Sequence, residues 1–146
     1  MEEATMARNE IFLDAAYAIA LSVTNDQHHE QAMTLRAELK LAPKRLVTTR
    51  AVLLEIGNAL AKSRYRGAAI QLLESLEGDP NVEIIPMSED LYHRAIQLYR
   101  GRLDKEWGLT DCISFVVMQD RGLTSALTPD EHFEQAGFRA LLREPC

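Results

Sequence analysis

Short apolar runs, each followed by a helix-length segment, constrain this chain more than any other feature. Ile11-Phe12-Leu13, Leu46-Val47-Thr48, Val82-Glu83-Ile84-Ile85 and Ser125-Ala126-Leu127 are such runs, and Phe138 to Leu142 forms a plausible fifth. Strands this short and apolar, separated by helices, build a parallel sheet with helices on both faces. The class is therefore α/β.

The intervening segments carry helix punctuation. AAYAIALSV, starting at Ala15, breaks at Thr24-Asn25-Asp26, and a second helix runs from about Gln27 to Leu41. Residues 50–64 form a helix with Val52, Leu53, Ile56, Ala59 and Leu60 on one face, and another spans Gly67 to Glu77. Ser88-Glu89-Asp90 caps a helix that Gly101 ends. The helix from Asp111 to Arg121 is apolar almost all round, so it is buried, and Gly122 ends it. Gly57, in mid-helix, points to close packing against a neighbour.

A chain of 146 residues is one domain. Residues 1–9 read as a flexible start and residues 10–146 as the domain. Two cysteines, Cys112 and Cys146, make neither a disulfide framework nor a cysteine zinc site, which points to a reducing, cytoplasmic setting. No apolar run approaches a membrane span, and the acidic N-terminus lacks the apolar core of a signal peptide. A net charge of −6 argues mildly against a general nucleic-acid coat. Yet Lys44, Arg45, Arg50, Lys62, Arg64 and Arg66 stand against one acid, Glu55, between residues 44 and 66. That local balance suits a phosphodiester substrate, and equally an acidic partner protein.

Four acids are candidates for chemistry. Asp14 follows the first strand, Asp130 follows the fourth, and Asp111 opens the buried helix that leads into the fourth. Open parallel sheets place ligands at the carboxyl ends of their strands, where strand order reverses. If the first and fourth strands are neighbours, Asp14 and Asp130 share that edge. Taken singly, each acid has a plainer role. Thr128-Pro129-Asp130-Glu131 reads as a helix start with Thr128 as N-cap, Thr110-Asp111 reads the same way, and Asp14 suits a strand-end turn. A helix N-terminus would also keep an aspartate ionised. Glu55 is harder to dismiss, because it borders an apolar stripe where an unpaired carboxylate is costly. If its helix continues, Glu55, Lys62 and Arg66 share one stripe, and with Arg50 they are candidates for binding substrate phosphates. His132 follows Asp130 closely, but one histidine near one aspartate is poor evidence for a ligand. Trp107 and Tyr65 offer rings for base stacking, or simply cover the core.

The stretches IFLDAAYAIAL, LVTTRAVLLEIGNAL, LTDCISFVVMQDRG and ALTPDEHFEQAGF, in this order, resemble PIN-domain ribonucleases, and most closely the VapC-type toxins of toxin–antitoxin pairs. The closing pattern D-x-H-F-x-x-A-G-F, Asp130 to Phe138, strengthens the resemblance, which covers essentially the whole chain. It implies a three-layer fold with a central parallel sheet of about five strands. It also implies a Mg²⁺ or Mn²⁺ site held by Asp14, Glu55, Asp111 and Asp130, a homodimer, and an antitoxin partner able to block the site. One departure is visible. Many members carry a hydroxyl or Asn directly after the first Asp, and here Ala15 and Ala16 follow.

The expected activity is metal-dependent hydrolysis of RNA phosphodiesters. Clustered carboxylates raise one another's pKa, and a hard divalent cation relieves that repulsion. Asp14 and Asp111 are expected to contact the metal directly, with Glu55 and Asp130 in a water-mediated shell or at a second metal. The alternative is a non-catalytic PIN-like module that binds RNA or protein. A receiver-type signalling domain would need paired acids after the first strand and a Lys after the last, and this chain has neither. A DNA flap nuclease would need extra helices for which 146 residues leave little room.

Overall fold

The computed structural model describes residues 9–144. The expected flexible start therefore lies outside the described residues except for Asn9, as does Cys146. Five strands, β1 Glu10–Leu13, β2 Arg45–Thr49, β3 Val82–Ile85, β4 Ser125–Leu127 and β5 Arg139–Ala140, form one parallel sheet in the order β3-β2-β1-β4-β5. All four residues of β1 are buried. Alternate residues of a strand face opposite ways, so the sheet is covered on both sides. Phe12 lies opposite Val47 on one flank and Ala126 on the other, which makes β1 and β4 neighbours. Strand order reverses between those two strands. The edge where Asp14 and Thr128 emerge is thus the expected ligand edge.

The helices among the described residues are α1 Ala15–Ser22, α2 His29–Leu41, α3 Arg50–Ala59, α4 Ser63–Gly78, α5 Glu89–Gly101, α6 Leu109–Arg121 and α7 Glu131–Gln135. α1 packs on α2, α3 and α4, while α5 packs on α6. α6 is the buried helix the sequence predicts, with every residue from Cys112 to Met118 buried. It ends at Gly122 in a left-handed conformation (φ 66°), with the Leu123 N–H donated to the Met118 carbonyl. That is a Schellman closure, and glycine bears the positive φ without strain.

Several boundaries differ from expectation, among them the fifth strand, which is only Arg139–Ala140 and gives way to a 3-10 turn at Leu141–Arg143. The helix beginning at Arg50 stops at Ala59, and a separate helix starts at Ser63. Lys62 is the N-cap of α4, and the Arg66 guanidinium donates to the Ala61 carbonyl across the break. The stripe of Glu55, Lys62 and Arg66 therefore does not form on one helix. The last helix is capped by Asp130 rather than Thr128, because the Asp130 carboxylate accepts the His132 N–H.

Gly57 does not mark a tight approach. A Cβ built there meets only Leu73 Cδ1 at 3.9 Å, an ordinary contact. Gly57→Ala will therefore raise the unfolding free energy by about 0.5–1 kcal/mol, the usual cost of glycine inside a helix. Urea denaturation reads this directly, and a lower midpoint would show that packing at Gly57 matters after all.

Candidate active site

The acids that the sequence singles out gather at the carboxyl edge of the sheet. Asp14, immediately after β1, is buried. Its N–H reaches the Leu127 carbonyl and so carries the β1–β4 pairing one residue further. Its Oδ2 accepts a 2.8 Å hydrogen bond from the Thr128 hydroxyl, across 114 positions of sequence. Thr128 Oγ1 in turn accepts the Asp130 N–H. The hydroxyl thus donates to Asp14 while one of its lone pairs takes the Asp130 N–H.

Asp111 sits in the first turn of α6, which begins two residues earlier than the sequence pattern predicts. Its Oδ2 accepts the Gly108 N–H at 3.1 Å and lies 3.1 Å from His132 Nδ1. His132 Nδ1 is also 3.4 Å from Asp130 Oδ1. Asp111, Asp130 and His132 each offer a ligand atom, all within 4.8 Å of one another. Asp14 and Glu55 lie outside that tight group but close enough for their charges to be felt.

The electrostatics carry the sign of an unneutralised cluster. Burial, with the charges of Glu55 and Asp111, pushes the Asp14 carboxyl from 3.8 up to about 7, although its bond from Thr128 works the other way. Partial burial and the Asp111 and Asp130 charges raise Glu55, opposed by the Thr110 side chain. Glu55 as a whole residue is exposed, so its carboxyl is desolvated by its neighbouring groups and not by insertion into the core. Asp111 is raised by burial and by Asp130, against the Gly108 N–H and His132. The first turn of a helix was expected to keep Asp111 readily ionised; burial outweighs it. Among the described residues, no Lys or Arg forms an ion pair with any of the four acids. A hard oxygen-rich donor set with excess negative charge fits Mg²⁺ or Mn²⁺.

The sequence profile of the PIN domain matches residues 11–139. The chain belongs to the PIN domain family. The 23S rRNA-specific endonuclease VapC20 of Mycobacterium tuberculosis is 27% identical over 128 residues, spanning 88% of this chain and 95% of that one. The crystal structure of that VapC20, a sarcin–ricin loop cleaving toxin, matches with a TM-score of 0.77 at 25% identity, over 88% of this chain and 95% of that one. The FitAcB structure from Neisseria gonorrhoeae shares the fold, with a TM-score of 0.60 at 20% identity over 89% of this chain and 94% of that one.

Other sequence candidates stand apart from the acids. Arg50 pairs with Glu77, and Arg45 with Glu10 and Glu83, so part of the basic segment is engaged in the fold. Trp107 is buried, donates from Nε1 to Gln135, and has the Arg102 guanidinium over its ring. It is a core cover, not an open stacking platform. The Cys112 thiol is pushed up to about 11 by burial and by Asp111, which removes it as a nucleophile. Thr128, read from the sequence chiefly as a helix cap, and His132, read as poor evidence for a ligand, both touch the site acids.

Proposed function

We propose that this PIN domain is a metal-dependent endoribonuclease of the VapC type, the toxin of a toxin–antitoxin pair. The observation that carries the reading is the gathering of Asp14, Glu55, Asp111 and Asp130 at the switch point of the sheet, the first three raised chiefly by burial and further by neighbouring acids, with no Lys or Arg paired to them among the described residues. A site kept in that state loses stability and gains affinity for a divalent cation and the phosphate it accompanies.

In this reading Asp14 and Asp111 hold Mg²⁺ or Mn²⁺ directly, and Glu55 and Asp130 act through water or at a second ion. When bound, the cation supplies charge to the phosphate and lowers the pKa of a nearby water. Thr128 fixes the face that Asp14 presents, and the Gly108 N–H does the same for Asp111. Arg50, Lys62 and Arg66 are proposed to meet substrate phosphates. Lys62 and Arg66 would do so from the α3–α4 break, not from the helix of Glu55. Exposed Leu54 on α3 and Ile70 on α4 support a homodimer surface. Among the described residues no helix is long and apolar enough to cross a membrane. Together with an RNA substrate, this supports action in the cytoplasm.

The target of VapC20 makes ribosomal RNA the first substrate to try. The test incubates the purified chain and Asp111→Asn with total cellular RNA, with Mn²⁺ or Mg²⁺ and with EDTA. The variant is expected to cleave on the order of 10³-fold more slowly, since several kcal/mol of charge stabilisation are lost. Cleavage that survives both EDTA and the substitution would sink the proposal.

A further inference from the structure

We infer that His132 is a positioning residue: its Nδ1–H holds one oxygen of Asp111 and so presents the other to the cation. This rests on the metal-site reading above. An ionised carboxylate only accepts hydrogen bonds, so a short contact to it from an imidazole nitrogen requires the proton on that nitrogen. His132 Nδ1 lies 3.1 Å from Asp111 Oδ2, and in the proposed tautomer, with the proton on Nδ1, it donates to that oxygen. The same oxygen accepts the Gly108 N–H, also at 3.1 Å. With two donors on Oδ2, Oδ1 is the oxygen of Asp111 free to meet an ion.

Asp130 is arranged in a related way. Its Oδ1 accepts the His132 backbone N–H at 2.9 Å and faces the His132 ring at 3.4 Å. His132 thus touches both carboxylates, by backbone and side chain, and links the start of α6 to the start of α7. Its side chain is 24% exposed, so it is a wedge between two acids at the rim and not a core residue. Carboxylates around metal sites are held in this manner by outer hydrogen bonds, and losing such a partner costs roughly 10–100-fold in metal affinity.

The competing role is direct ligation by the ring, and atom placement separates the two. In asparagine the amide nitrogen is bonded to Cγ, where Nδ1 sits in histidine; in glutamine it lies one bond further out. Isothermal titration with Mn²⁺ of the parent, His132→Asn, His132→Gln and His132→Ala is the test, with Mn²⁺ pulsed EPR on the parent. Positioning through Nδ1 predicts that Ala and Gln weaken Mn²⁺ binding by roughly 10–100-fold, that Asn restores most of it, and that the parent shows no imidazole ¹⁴N coupling to the ion.

Three variants that bind like the parent would overturn the assignment alone. So would an Asn variant as weak as Ala, or a ¹⁴N coupling, which would make His132 a ligand. A parent that binds no Mn²⁺ would overturn the metal-site reading, and this assignment with it. Urea midpoints of the variants, expected to match the parent because the residue lies at the rim, keep a folding defect from passing for a binding defect.

Discussion

Asp14→Asn will inactivate the enzyme and make the metal-free protein more stable. Asparagine keeps the shape and still offers an oxygen to the Thr128 hydroxyl, so the packing at the end of β1 survives. The charge does not. In the folded chain Asp14 titrates near 7 against 3.8 for the free side chain, with burial the leading cause. Between those values the native state holds a proton that the unfolded state has released. The parent's stability therefore falls as pH rises from about 4 through about 7, and stays low above it. At pH 8.5 the full cost is present, on the order of 4 kcal/mol for a shift of this size. Near pH 4.5 little of it remains. Urea denaturation of parent and variant without metal should show the gap opening with pH, while a shallower slope persists in the variant from Glu55 and Asp111. A gap equal at both pH values, or a less stable variant at pH 8.5, would show that burial of the charge is not its origin. RNA cleavage by the variant should fall on the order of 10³-fold. Saturating Mn²⁺ should return stability to the parent, about 2.7 kcal/mol at a hundred times the dissociation constant.

Most of the sheet was legible because its signals are local. β3 and β4 have the bounds that their apolar runs predict, and β1 and β2 are longer by one residue or one at each end. Ser88 caps α5, and Gly122 ends α6 through its positive φ. What was not legible depends on contacts distant in sequence. Nothing in Leu60-Ala61-Lys62 breaks a helix by propensity. At the break Leu60 is buried and the Arg66 guanidinium donates to the Ala61 carbonyl, contacts that local sequence does not announce. Topology could bring Asp14 and Asp130 to one edge once the first and fourth strands were taken as neighbours, but placing Asp111 and Glu55 there needed the helices to start on that side, and the acids' partners were not fixed by it. Thr128 looked like a cap for the helix that follows; its hydroxyl accepts the Asp130 N–H there and also donates to Asp14. Asp111 and Asp130 do cap their helices, and the same atoms contact His132. The capping reading and the chemical reading therefore describe one arrangement.

The opposite end of β1 shows what this fold does with a buried carboxylate it means to keep neutralised, and yields the second large effect. Glu10 is as buried as Asp14, one strand-length away, but two arginines meet it. Arg121, at the last turn of α6, contacts Glu10 at 3.3 Å and Glu83 at 2.8 Å, and Arg45 contacts Glu10 at 3.5 Å. The Arg121 guanidinium, through its hydrogen bonds, holds Glu83 below the usual carboxylate range. Arg121→Ala would leave Glu10 in the interior with only the longer contact to Arg45. Breaking a buried pair costs about 3–5 kcal/mol, and the partial exposure of Arg121, 31% of its side chain, reduces that to roughly 2–3 kcal/mol. Glu10→Gln, which removes the charge and keeps the shape, should cost about 1–2 kcal/mol. The same carboxylate-to-amide change thus carries opposite signs at the two ends of one strand, stabilising at Asp14 and destabilising at Glu10. Chemical denaturation at pH 8 of the two amide variants tests this directly. A destabilised Asp14→Asn beside a neutral Glu10→Gln would refute the division of the sheet into a neutralised end and a charged end reserved for an ion. RNA cleavage should separate them as well, surviving Glu10→Gln and Arg121→Ala at temperatures where both remain folded, because neither residue lies at the carboxyl edge of the sheet.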